Sequence, residues 1–214
     1  MKYQIVPVTP FQQNCSIIWC EKTKQAAVID PGGDSERIEA QLAQLGLTLD
    51  KILLTHGHID HVGGAIALSQ RSQAKIIGPH ESDEFWLDSL PDQSKHFGFP
   101  LVNAFAPHQF LNHGDSVDVG EQSLQVLHCP GHTPGHIVFF SADAQIAWVG
   151  DVIFRGSIGR TDFPQSNHND LINSITQVLW PLGREVTFVP GHGPISTFAE
   201  EREQNPFVAD QLFG

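Results

Sequence analysis

The stretch Lys51-Ile52-Leu53-Leu54-Thr55-His56-Gly57-His58-Ile59-Asp60-His61 joins an apolar run to three histidines and one aspartate set within six consecutive positions. The apolar part is too continuous for an exposed edge and reads as a strand buried on both faces. Imidazole nitrogens and carboxylate oxygens are the donors that hold Zn²⁺, Fe²⁺ or Mn²⁺. An ordinary loop gains nothing by crowding groups that shed water when they touch. The stretch therefore predicts a metal site at the end of a buried strand.

Three later strand ends carry groups of the same kind. Leu127-His128-Cys129-Pro130-Gly131-His132-Thr133-Pro134-Gly135-His136 follows one predicted strand, Val149-Gly150-Asp151 closes another, and Phe188-Val189-Pro190-Gly191-His192-Gly193 closes the last. Glycine beside each ligand lets the backbone turn sharply and leaves room for an ion. Loops after separate strands can converge at one edge of a packed sheet, where the strands hold them rigidly. Seven groups result: His56, His58, Asp60, His61, His132, Asp151 and His192. Seven is too many for one tetrahedral zinc and suits two ions that share a carboxylate. The expected division gives His56, His58 and His132 to the first ion and Asp60, His61 and His192 to the second. Asp151 then bridges, and a hydroxide completes both shells. Two ions about 3.5–4 Å apart can share a water and lower its pKa. Zinc is the expected metal, with iron and manganese compatible with the same donors. His136 is expected to orient a ligand rather than bind metal. His80, His96, His108, His113, His128 and His168 read as surface or hydrogen-bonded structural histidines.

The chain has 214 residues, 40% of them hydrophobic, enough for a sizeable core in one domain spanning 1–214. No stretch approaches the roughly 18–20 apolar residues of a membrane span. The N-terminus lacks the apolar region of a signal peptide, so the cytoplasm is the expected compartment. Cys15, Cys20 and Cys129 match neither a disulfide framework nor a metal knuckle and read as reduced and buried. With 24 acidic against 12 basic residues the net charge is −12, which disfavours a nucleic-acid surface. Strands are expected at 26–29, 52–54, 74–78, 123–127, 137–140, 146–149 and 186–189, and helices at 37–43, 61–70, 169–179 and 197–204. The segment 81–112, with Phe85, Trp86, Phe97, Phe99 and Phe105, is the least regular, and its aromatic residues are expected to fill core rather than cover the site.

His-x-His-x-Asp-His at 56–61, the later Gly131-His132-Thr133-Pro134-Gly135-His136, Asp151 and Pro190-Gly191-His192 together resemble the metallo-β-lactamase superfamily, in the same order over nearly the whole chain. The resemblance implies an α/β fold, a four-layer αββα sandwich of two mixed sheets with helices outside and metals at one edge. Within the superfamily the likeness is to short, single-domain glyoxalase II-type thioester hydrolases, carried by Gly150-Asp151-Val152-Ile153-Phe154-Arg155-Gly156-Ser157-Ile158-Gly159-Arg160-Thr161-Asp162-Phe163. It implies a small-molecule thioester substrate such as S-lactoylglutathione, with Arg160 gripping the glycine carboxylate. Arg160 can equally pair with Asp162. A carboxylate at Asp151, where the commonest metallo-β-lactamases place a cysteine, favours the hydrolase branch. The glutathione-binding helical extension of full-length glyoxalase II has no counterpart after His192, and the only tyrosine is Tyr3.

The expected catalytic groups are Asp60, which ligates one ion and accepts a hydrogen bond from the attacking hydroxide, and the bridging Asp151. An iron-dependent persulfide dioxygenase of the same superfamily is one alternative. Nuclease or phosphodiesterase activity is disfavoured by the charge. A metal-binding module without catalysis is the alternative from another class. Nothing in the sequence encodes an oligomer, and a monomer is expected.

Overall fold

Runs such as Ala26–Ile29, Ile52–Leu53 and Ile137–Phe140 leave a strand no polar face to turn toward water, so both faces must be covered. The computed structural model, which describes residues 1–212, meets that demand with two sheets stacked face to face and helices outside them. The first sheet runs in order through β1 (Lys2–Val8), β2 (Gln13–Trp19), β3 (Gln25–Ile29), β4 (Thr48–Leu53) and β5 (Lys75–Ile77). It is antiparallel from β1 to β3 and parallel from β3 to β5.

The second sheet draws on β6 (Ser116–Val119), β7 (Gln122–His128), β8 (Ile137–Ser141) and β9 (Ile146–Gly150). A hairpin of β10 (Ile153–Phe154) and β11 (Ser157–Ile158) stands apart, and β12 (Thr187–Pro190) and β13 (Ser196–Thr197) complete the set. The spatial order is β13-β12-β9-β8-β7-β6, with β12 parallel to β9 and the other pairs antiparallel. The expected pair of mixed sheets flanked by helices is the one observed.

Alternate residues of one strand serve different layers. Ile18, Ala27 and Leu53 of the first sheet meet Ile137, Phe139 and Trp148 of the second in a shared buried cluster. Their neighbours Ile17, Ala26 and Ile52 face outward, packed with Ile38 and Leu42 of α1 (Ser35–Gln44) and, past the short α2 (Ile59–Val62), Leu68 of α3 (Ala65–Ser72). Val138 and Phe140 face the other way with Leu171 of α6 (His168–Asn173), beyond α4 (Glu84–Asp88) and α5 (Leu90–Phe97), and with Phe198 of α7 (Phe198–Gln204). No helix among the described residues is long and apolar enough to cross a membrane.

Differences from the expected elements have local causes. The helix expected over 61–70 is split at Gly63-Gly64, where the Pro31-Gly32 backbone lies so close that a Cβ on either glycine would sit 2.6–2.7 Å from a carbonyl oxygen. Helix α1 ends in a Schellman closure: Gly46 N–H reaches Ala43 O and Leu47 N–H reaches Leu42 O, with Gly46 at φ 64°. At its start, Asp34 is left-handed at φ 48° and its carboxylate accepts from Thr9 N–H rather than from the helix. The helix expected from 169 continues beyond α6 as a π-helix over Ser174–Leu179. Strands β1 and β2 carry too many polar residues to announce themselves. Segment 81–112 is helical to Phe97, and all three cysteines are free and buried.

Candidate metal centre

Ligand-bearing loops leave both sheets at one edge. His56, His58, Asp60 and His61 follow β4 of the first sheet; His132, Asp151 and His192 follow β7, β9 and β12 of the second. His58 Nδ1 lies 3.1 Å from His56 Nε2 and 3.0 Å from His132 Nε2, so three imidazole nitrogens face a common point. Asp60, His61 and His192 form a second trio, with His192 Nε2 3.1 Å from Asp60 Oδ2 and His61 Nε2 3.7 Å from it. Asp151 lies between them. Its Oδ1 is 3.4 Å from His61, and its Oδ2 is 3.7 Å from His132 and 3.8 Å from His192. All seven residues singled out by the sequence are thus brought together.

The electrostatics of the trios differ. Burial and the neighbouring imidazoles hold His56 and His58 well below the usual histidine range. Burial lowers His132 too, with Asp151 opposing it. Burial also works against charge on His61, yet Asp151 and Asp60 overcome it and raise the imidazole. Burial would raise Asp151, but His61 and His132 hold it far below the carboxylate range. The first trio is all imidazole; the second sets a carboxylate beside two imidazoles.

These residues fit divalent cations. His61 Nε2 and Asp151 Oδ1 are buried without any hydrogen-bond partner, a costly condition that a cation between them removes. Three converging imidazole nitrogens likewise cannot all be satisfied by one another, since a neutral ring has only one N–H. Either trio could hold an ion, with Asp151 in reach of both. A third grouping, Asp30, His56 and His61, has ligand atoms equally close. There Asp30 is already engaged: its oxygens accept from Thr55 N–H (2.8 Å) and Thr55 Oγ1 (2.6 Å) and contact His61 Nδ1 (2.9 Å). It aims His61 Nε2 into the centre.

A sequence profile of the Metallo-beta-lactamase superfamily matches residues 8–192. The chain belongs to the metallo-β-lactamase superfamily. Hydroxyacylglutathione hydrolase GloC of Haemophilus influenzae is 46% identical over 97% of this chain and 98% of its own length. Among solved structures, the B3 metallo-β-lactamase BLEG-1 superposes with a TM-score of 0.89 at 32% identity, covering 97% of this chain and 99% of that one. TTHA1623, in a di-iron-bound form, superposes at 0.87 and 32% identity, covering 96% of this chain and all of that one. The name of that Haemophilus influenzae relative is that of a hydrolase.

A cavity of about 1070 Å³ opens over the centre, lined by His58, Asp60, His132, Asp151 and His192 on its floor. Trp86, Phe97 and Phe163 form walls, so the 81–112 segment lines the site as well as packing core through Phe99 and Phe105. Arg160 also lines the cavity. Its guanidinium grips Asp162 through two hydrogen bonds (2.9 and 2.8 Å) and lies 4.5 Å over the Phe163 ring.

Several working residues of this superfamily site escaped sequence reading. Asn14 fastens the His192 loop: its N–H donates to Gly191 O (2.7 Å) and its Nδ2 to Pro190 O (3.0 Å) and Gly193 O (2.8 Å). His136, by contrast, is singled out by the sequence as an orienting residue; its Nε2 accepts from Asp151 N–H at 3.0 Å, while its ring stacks on His56. Asp83 is fully buried, and burial pushes its carboxyl up to about 6 against the three hydrogen bonds it receives. It accepts from Gly57 N–H (2.9 Å), Thr133 Oγ1 (2.8 Å) and Gly135 N–H (2.6 Å), tying the His56–His58 loop to the His132 loop. Asp83→Asn, which turns an acceptor into a donor, should weaken metal binding roughly 10–100-fold. Chelator competition measures this, and Thr133→Ala, which removes one of the three contacts, should lose less.

Proposed function

We propose that this protein is a binuclear metallohydrolase that cleaves S-(2-hydroxyacyl)glutathione thioesters, S-lactoylglutathione being the model substrate. The observation that carries the reading is the pair of three-ligand sets with Asp151 between them, opening into one cavity. His56, His58 and His132 would hold one ion, and Asp60, His61 and His192 the other, with Asp151 shared. When bound, two such ions supply Lewis acidity toward a carbonyl oxygen and acidify a water between them. Zinc is the first expectation; the di-iron form of TTHA1623 makes iron a concrete second.

The chain's own groups do the rest. Asp60 presents an ionised carboxylate, held low by His61 and by the His192 hydrogen bond against the effect of burial. It accepts a hydrogen bond from the attacking water and so aims a lone pair at the carbonyl carbon. Asp30 and His136 fix the orientation of His61 and of the Asp151 backbone. Phe163 and Trp86 shelter the reacting carbonyl from bulk water. A thiolate with a pKa near ~8.5 leaves at neutral pH without a strong general acid, whereas an amine would need a proton delivered to it. The floor, His58, Asp60, His132, Asp151 and His192, consists of groups assigned to the two ions, with none left over as a strong acid, and suits the first task. The similarity to GloC supports the glutathione thiol.

Metal analysis paired with a substrate panel on one preparation tests the proposal. The expected result is two equivalents of metal, hydrolysis of S-lactoylglutathione, loss of turnover after chelation and its return with added metal. Oxygen uptake with glutathione persulfide, or nitrocefin cleavage without thioester cleavage, would replace the reading with a dioxygenase or a β-lactamase. Two bound ions with no turnover of any substrate would leave a metal-binding module.

A further inference from the structure

One wall of the cavity is α5, packed against the His58–Asp60 loop, and it carries a cation that the centre does not use. Lys95 lines the cavity beside His96 and Phe97, in the last turn of the helix. Among the described residues it has no carboxylate ion-pair partner. The helix is held in fixed register with the metal loop by Gln93, two positions away. The buried Gln93 side chain accepts from Ile59 N–H at 2.9 Å and donates to Trp86 O at 2.8 Å. Lys95 therefore projects from a wall whose place relative to His58 and Asp60 is set.

Two further observations point to a ligand. Phe97 and Phe11 both line the cavity and leave 40% and 45% of their surface exposed, packed edge to face at 6.1 Å. Apolar walls with a few placed polar groups are what a small-molecule site presents. The other strong cation in the cavity, Arg160, already spends two donors on Asp162 and its face on Phe163. A chain of net charge −12 that admits an anionic substrate needs local positive charge to receive it.

We infer that Lys95 binds a carboxylate on the thiol side of the substrate, making α5 the specificity wall for thioesters of acidic peptide thiols. This deepens the thioester reading and rests on it. Arg160, held by Asp162, is the weaker anion contact of the two. A lysine merely favouring the negative end of α5 would stabilise the helix without distinguishing substrates.

The test compares S-lactoylglutathione with the same thioester esterified at both peptide carboxylates. Lys95→Ala should raise KM about tenfold for the free acid, a loss of about 1.4 kcal/mol, and leave kcat and the esterified substrate unchanged. Lys95→Arg should restore KM, and high salt should shrink the difference. Asp162→Asn, by releasing Arg160, should lower KM for the free acid. Equal KM in wild type and Lys95→Ala for the free acid, or parallel changes for both substrates, overturns the inference while the hydrolase reading stands. Calorimetry with S-methylglutathione on the metal-loaded protein covers the other case. Wild-type binding that Lys95→Glu abolishes, without thioester turnover, upholds Lys95 and removes the hydrolase. Absence of binding and of turnover removes both.

Discussion

Asp151→Ala is expected to lose bound metal and thioester hydrolysis together. The carboxylate is within reach of both trios, 3.4 Å from His61 and 3.7 Å from His132, so its removal weakens either ion's shell. Lewis-acid stabilisation is worth several kcal/mol, which corresponds to a fall in kcat/KM of about 10³-fold or more. Elemental analysis and steady-state rates on the same sample check this. Asp151→Asn keeps shape and removes charge, so it should fall between wild type and alanine in metal content. Full turnover in a metal-depleted Asp151→Ala protein would end the mechanism.

The second large effect is at Gly32. A Cβ there would fall 1.5 Å from the Asp60 carbonyl oxygen and 2.3 Å from its carbon, positions that only a backbone shift relieves. Gly32→Ala should cost about 3 kcal/mol by overpacking, lowering Tm by roughly 10 °C for a chain of this size. It should also displace Asp60 and His61, so that the second trio loses metal before the first. Gly46→Ala is the comparison: its φ of 64° disfavours a side chain, but nothing lies within 4 Å. A cost of about 1 kcal/mol is expected there, with metal content unchanged. Equal melting temperatures for the two variants would show that the Gly32 contact relaxes freely.

What sequence alone revealed follows from how each residue does its work. The seven clustered groups were legible because each stands in a short stretch after an apolar strand run, four of them within six positions and the other three directly after a glycine, a local pattern. Asp30, Asp83, Asn14 and Gln93 were not, because each acts through partners far along the chain. Asn14 fastens Gly191, and Asp83 spans Gly57 and Gly135. Isolated buried polar residues look like turn residues until their partners are placed beside them. The same limit explains the split helix. Nothing in His61–Gln70 reports that the Pro31-Gly32 backbone will press against Gly63 and Gly64. Trp86 was read as core filler, yet its ring packs 4.5 Å from His58 as part of the cavity wall.

Each trio draws on both halves of the sandwich, since His56, His58, Asp60 and His61 come from one slab and His132 and His192 from the other. No β-ladder runs between the two slabs among the described residues; their shared layer is apolar side chains, and the directional bonds across it, such as those from Asn14 to Pro190 and Gly191 and from Ile137 N–H to Thr55 O, are few and lie near the site edge. A cation seated in either trio is therefore a rivet through the sandwich: besides serving chemistry, it locks the slabs against shear and makes the cleft's shape depend on occupancy.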